Sequence, residues 1–80
     1  MSPTVFRVKD YRFYFLSNEE NRIHVHIECS KGEAKFWIEP IIAHANSIGL
    51  SEKKLLEIQR VIENRKEEII SAWKKHFGER

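Results

Sequence analysis

Two histidines and a glutamate occupy every second position of one short segment, as His24, His26 and Glu28. The residues between them are apolar, and strict alternation of polar and apolar residues is typical of a half-buried β-strand. The sequence therefore predicts that two imidazoles and a carboxylate lie side by side on the strand face that points away from the core.

Three kinds of chemistry fit this arrangement. His24 and His26 could bind a metal ion, with Glu28 or Glu39 as a third ligand. They could instead cleave an RNA phosphodiester, one imidazole acting as general base and the other as general acid while nearby cations neutralise the phosphate. Alternatively, the face could bind RNA by stacking and phosphate contact without any reaction.

Other polar and aromatic residues are predicted on the same sheet face. In the predicted first hairpin Arg7 lies opposite Arg12, and such a like-charge pair is destabilising unless an anion or a carboxylate lies between them. An exposed tryptophan there leaves apolar area that a ligand or a partner would cover. The favoured interpretation makes His24 and His26 catalytic and needs no metal or cofactor. The predicted binding residues are Arg7, Arg12, Tyr14, Glu28, Lys35 and Trp37.

Local sequence signals predict four strands, a helical turn and a long helix that position these residues. β-branched and aromatic residues favour the strands, and polar residues with Asn and Glu favour a loop at 17–21. A proline at a first helical position favours the turn, and a serine cap followed by apolar residues favours the helix. The predicted elements are strands at 4–8, 11–16, 22–29 and 34–39, a helical turn at 40–46 and a helix at 52–77.

The predicted second hairpin joins the histidine strand to the strand at 34–39. Its apolar residues meet if Ile27 lies opposite Phe36, and the same register sets His26 opposite Trp37. A slip by one residue would move polar side chains into the core, so the faces are well specified.

The predicted helix is long for the sheet that it covers. At about 1.5 Å per residue it would reach roughly 40 Å, whereas strands of this length span about 20 Å. The stretch 63–68 also lacks apolar residues, so the helix either extends beyond the sheet or breaks near Asn64. The apolar residues beyond it, including Ile69 and Trp73, must then fold back onto the sheet or meet a second copy of the chain. The sequence predicts an α+β fold: two β-hairpins form a small antiparallel sheet, and a long C-terminal helix, either continuous or broken, covers one face.

Composition limits the class of protein. The 80 residues suit one domain, and a formal net charge of +2 permits RNA binding without requiring it. The sequence has no apolar run near the roughly 20 residues that span a bilayer and no signal-peptide pattern at its N-terminus. With Cys29 as the single cysteine, an internal disulfide is excluded and we expect a cytoplasmic protein without a membrane partner.

Several segments, in this order, resemble a small bacterial family of domains of unknown function, the one numbered 4160. The segments are Pro3-Thr4-Val5, Tyr11-Arg12-Phe13-Tyr14-Phe15, His24-Val25-His26-Ile27, Ala34-Lys35-Phe36-Trp37-Ile38 and Trp73.

The resemblance implies a role and a partner but no catalytic residue. Members of that family are often encoded beside a small protein of the family numbered 2442, and such pairs are regarded as toxin–antitoxin modules. We therefore expect the toxin component of such a pair, acting on RNA and bound by a small antitoxin-like protein. The alternatives are a non-catalytic protein-interaction module and a metal-binding domain.

Overall fold

The computed structural model describes residues 3–16 and 21–78, which form one five-stranded antiparallel sheet and two helices. The strands follow the order β1-β2-β3-β4-β5 across the sheet, so every strand lies beside its neighbours in the chain. This confirms the predicted α+β class. The predicted loop at 17–21 lies outside the described residues except for Asn21. The elements are β1 (Thr4–Val8), β2 (Tyr11–Tyr14), β3 (His24–Cys29), β4 (Gly32–Trp37), β5 (Ala43–Ile48), α1 (Glu52–Asn64) and α2 (Lys66–Phe77).

The first hairpin has the predicted register. Val8 lies opposite Tyr11 and Arg7 opposite Arg12. The two-residue turn contains no glycine, and Lys9 adopts the left-handed conformation with φ 55° that such a turn requires. An irregularity at the start of β1 shifts its register by one residue before Phe6.

The predicted register of the second hairpin is wrong by two residues. The structure places His24 opposite Trp37 and His26 opposite Lys35. Because the shift is an even number of residues, every side chain stays on its predicted face. The core pairs move in the same way, so that Val25 lies opposite Phe36 and Ile27 opposite Ala34.

A tight turn explains this shift. Cys29 pairs with Gly32, so only two residues connect β3 and β4. Gly32 lies against the backbone of β5, where a Cβ atom would collide with the carbonyl oxygen of Ile48. Only glycine allows this approach, and the turn is therefore fixed by a contact with a strand that local signals do not predict.

The helical turn predicted for 40–46 is wrong, because this segment leads into β5 (Ala43–Ile48) instead. β5 pairs with β4 along its length and satisfies the backbone groups of that strand. Ile42, just before β5, packs against the core. Tertiary pairing therefore overrides the local preference that Pro40 suggests.

The long helix is broken at the residue after Asn64, which is one of the two alternatives that its length suggested. Arg65 has φ −120° and ψ 26°, which are not helical, and its backbone N–H donates to the carbonyl groups of Ile62 and Val61. Its guanidinium group donates two hydrogen bonds to Glu68, at 2.9 and 3.0 Å. Neither helix among the described residues is long and apolar enough to cross a membrane.

The second helix folds back and completes the core, which is the first of the two predicted alternatives. Ile69 and Trp73 are buried, with exposed fractions of 0% and 2%. The Trp73 ring lies edge-on to Phe15 with a centroid distance of 5.4 Å. These residues are covered within one chain, whereas the other alternative was contact with a second copy. The largest core side chains of the described residues are Tyr11, Phe13, Phe15, Ile27, Phe36, Ile38, Ile58, Ile62, Ile69 and Trp73.

We predict that Trp73→Ala lowers the free energy of unfolding by about 3–5 kcal/mol, since it removes a large side chain from the closed core. Urea denaturation followed by circular dichroism measures this change. Leu56→Ala is the control, because Leu56 lies on α1 with 50% exposure and should cost roughly 0.5 kcal/mol or less. Equal losses in both variants would contradict the fold-back of α2.

Candidate functional site

Four side chains from four adjacent strands form a row across the sheet face opposite the helices. Tyr14 of β2 lies opposite His26 of β3, which lies opposite Lys35 of β4, which lies opposite Asn46 of β5. We call this set the central row and the sheet face that carries it the polar face. The central row lines a groove of about 400 Å³ that Leu16 and Ile48 border. Its members are close enough to contact one ligand together.

Tyr14 and His26 stack on each other, with ring centroids 5.5 Å apart and an angle of 29° between the rings. The Arg12 guanidinium lies 4.6 Å from the Tyr14 ring centroid. Burial, and next the charge of Glu28, raise the pKa of Tyr14 above its ordinary value. The phenol therefore stays neutral at physiological pH and can donate a hydrogen bond.

The predicted like-charge pair of Arg7 and Arg12 has a carboxylate beside it. Arg12 forms an ion pair with Glu28, 3.2 Å between Nη1 and Oε2, and its Nε donates to the Thr4 hydroxyl at 2.7 Å. Arg7 lies opposite Arg12 and is exposed. Glu28 therefore neutralises Arg12.

Trp37 lies at the other end of the polar face beneath two cations. The Arg22 guanidinium carbon and the Lys35 ammonium nitrogen lie 4.2 and 4.4 Å from its ring centroid. Arg22 also donates a hydrogen bond to the Glu39 carbonyl oxygen at 2.8 Å. The half-exposed indole thus combines an aromatic surface with positive charge, the chemistry that single-stranded nucleic acid requires.

His24 is buried, with an exposed fraction of 1%. Its ring lies edge-on to Trp37, Trp73 and His26, at centroid distances of 5.6, 5.1 and 5.1 Å. Its Nδ1 lies 2.8 Å from the Arg22 carbonyl oxygen, and since a carbonyl only accepts, Nδ1 carries the hydrogen. A macromolecular substrate cannot reach this ring, so the predicted acid–base pair has one accessible histidine, His26.

A metal site at His24 and His26 would need further ligands. Within residues 3–16 and 21–78, no three side chains of His, Cys, Asp or Glu lie together in a way that could hold a metal ion. Glu28 is paired with Arg12, and Glu39 lies 3.9 Å from the Lys66 ammonium group.

Two residues of the polar face were not among the binding residues predicted from the sequence. Arg22 lies two residues before His24 in the same alternating segment, so the alternation alone places it on the polar face. Asn46 was not predicted to lie on this face, because the segment that begins β5 was predicted to be a helical turn.

Comparison with known families gives one match. A family model described as "Domain of unknown function (DUF4160)" matches residues 10–74, which include the whole central row. No curated protein and no solved structure matches the chain.

We predict different consequences for alanine at the two histidines. His24→Ala should lower the free energy of unfolding by roughly 2–4 kcal/mol, because it leaves a cavity between two tryptophans and removes a buried hydrogen bond. His26→Ala should cost about 1 kcal/mol or less, since that ring is partly solvated. Urea denaturation of both variants measures the difference, and the reverse order would contradict the placement of His24.

We also predict that neither described tyrosine ionises in its ordinary range. Burial and the hydrogen bond to Glu57, 2.7 Å from the hydroxyl, raise the pKa of Tyr11, as burial does for Tyr14. A raised folded-state pKa stabilises the fold fully below the unfolded value of about 10, and this stabilisation is lost as the pH rises further. The ultraviolet absorbance of phenolate measures ionisation. Half-ionisation near pH 10 in the folded protein, as measured in the unfolded one, would contradict the prediction.

Proposed function

Because the chain belongs to the family of domains of unknown function numbered 4160, whose description names no activity, we propose a function from the geometry of the polar face: it binds single-stranded RNA. The helices pack against the opposite face of the sheet and reach the polar face at His24, which Trp73 contacts, whereas the central row lines an open groove. Antiparallel sheets of this kind bind unpaired bases by stacking them on aromatic side chains.

The observation that carries the proposal is the central row itself. It places an aromatic ring, an imidazole, an ammonium group and an amide on four successive strands, at Tyr14, His26, Lys35 and Asn46. Tyr14 is buried, with an exposed fraction of 9%, and supports the more exposed His26 ring, which can stack with a base. The cation attracts phosphate, and the amide can donate to and accept from base edges. This combination is typical of an RNA-binding face rather than of a surface that only contacts water.

Charge indicates which part of the face binds RNA. Glu28 and Glu33 lie opposite each other near the turns of the hairpins and would repel phosphate. At the other end, Arg22 and Lys35 lie over Trp37. We therefore propose that the strand runs from the Tyr14–His26 pair toward Trp37, away from the two carboxylates.

The proposal concerns binding, because burial of His24 removes one of the two groups that the predicted cleavage mechanism needs. In the toxin–antitoxin pair that the family resemblance suggests, this chain would be the component that acts on RNA. A small acidic antitoxin would then compete with RNA for the cations around Trp37, so that the antitoxin and RNA would not bind at the same time.

The first test is fluorescence anisotropy with a labelled, unstructured RNA oligonucleotide at low salt. Lys35→Ala and Trp37→Ala should each weaken binding about tenfold, since stacking of one base contributes roughly 1–3 kcal/mol. Lys53→Ala is the matched control, because it removes an exposed lysine of α1 and should leave affinity within twofold. No binding, or an equal loss in the control, would refute the proposal.

The same RNA, incubated with protein in EDTA and separated on a gel, tests for chemistry. We expect the RNA to remain intact. Cleavage that disappears in His26→Ala would replace the binding proposal with a catalytic one. Expression of the chain in bacteria then tests the toxin role: growth arrest should be relieved by Lys35→Ala with Trp37→Ala and not by Lys53→Ala. Normal growth on expression of the unsubstituted chain would argue against that role.

A further inference from the structure

β5 forms one edge of the sheet, and within the described part of the chain it pairs with β4 alone. An edge strand presents a row of unpaired backbone donors and acceptors, which proteins usually protect with charges or proline. β5 (Ala43–Ile48) contains neither. The opposite edge, β1, carries Arg7, and the Arg65 guanidinium lies 3.8 Å from the ring centroid of Phe6 in that strand.

Two exposed isoleucines flank this unprotected edge. Ile41 is 67% exposed and precedes β5, and Ile48 is 72% exposed and ends it. They are the most exposed large apolar side chains of the described residues. Apolar side chains at both ends of a neutral edge strand favour contact with another strand over contact with water.

The C-terminal end of β5 is held in place by two glycines. A Cβ atom at Gly32 would collide with the Ile48 carbonyl oxygen, and one at Gly49, where φ is 79°, would collide with the Lys31 carbonyl oxygen. The C-terminal end of β5 is therefore packed against the turn between β3 and β4. A partner strand would meet a preformed template and lose little free energy in ordering it.

We propose that β5 binds the β5 strand of a second copy of this chain, antiparallel, so that two sheets become one. β5 has one extra residue, Ala45, because Lys35 lies opposite Asn46 while Phe36 lies opposite His44. A twofold axis at this bulge brings Ile41 of each copy opposite Ile48 of the other. Because the bulge shifts the in–out alternation of β5 side chains by one residue, Ile41 and Ile48 lie on the same face of the strand. The paired side chains of the two copies therefore lie on the same face of the joined sheet.

Self-pairing fits β5 better than pairing with an unrelated strand for two reasons. No like charges meet, because the strand carries none, and one twofold axis buries both exposed isoleucines of each copy. The contact involves residues 41–48 of each copy, which is small beside the about 1,200–2,000 Å² of a stable interface. The expected state is therefore a concentration-dependent equilibrium between monomer and dimer.

Sedimentation equilibrium over a wide concentration range tests this inference. The unsubstituted chain should dimerise, and Ile41→Lys with Ile48→Lys should raise the dimer dissociation constant at least tenfold. Leu56→Lys is the matched control, because it places the same charge at a 50% exposed leucine of α1 and should change the constant less than twofold. A chain that stays monomeric at every concentration, or a double variant that dimerises normally, would overturn the proposal.

Disulfide cross-linking tests the register independently. In a Cys29→Ser background, Ile41→Cys with Ile48→Cys should form a covalent dimer on mild oxidation, whereas either single cysteine should not. The two positions are too far apart along one extended strand to cross-link within a chain. Single variants that cross-link as well as the double one would overturn the register. Neither experiment contains RNA, so failure here is distinguishable from failure of the proposed function.

Discussion

The indole of Trp73 connects the two layers of this structure, and the accessible chemistry of the polar face depends on it. Because the helix breaks at Arg65, α2 returns across the sheet and brings Trp73 against both Phe15 in the core and His24 at the start of β3. His24 is thereby removed from solvent and becomes a packing residue whose Nδ1 donates a hydrogen bond to the Arg22 carbonyl oxygen. His26 is left as the only partly solvated imidazole of the strand, which is why we interpret the polar face as a binding surface rather than as a two-histidine catalytic centre.

Faces were predictable where register was not, and the reason is geometric. Alternation in the segment 22–29 assigns each side chain to a side of the sheet, and the structure retains that assignment. Register also depends on the number of residues in the turn. Loops of two and of four residues leave every side chain on the same face, so alternation does not distinguish between them. The choice between them is made by Gly32, which contacts the Ile48 carbonyl group far along the chain. Local sequence cannot report such a contact.

The same distinction between local and distant causes explains the other outcomes. The helix break was one of two alternatives that could be predicted, because the polar run 63–68 and the length of the helix are local facts. β5 was not predictable, because Pro40 and the residues after it are also compatible with a helical turn. Only pairing with β4 makes this segment a strand. Burial of His24 was hidden for a similar reason: its residue type fits either environment, and the side chain that covers it belongs to the last helix. Thus most of the candidate site could be located from the sequence, but its exposure could not.

The order of the strands in the sheet has a consequence for how the chain folds during synthesis. Each strand pairs with its neighbour in the chain, so the sheet needs only contacts of short sequence separation, which form quickly. The N-terminal strands also leave the ribosome first, whereas α1 and α2, which cover Phe13 and Phe36, come last. A nascent sheet can therefore form while its apolar face is still open to water. During that interval the aromatic core is a surface that chaperones or other nascent chains can bind, and its closure waits for the final turns of α2.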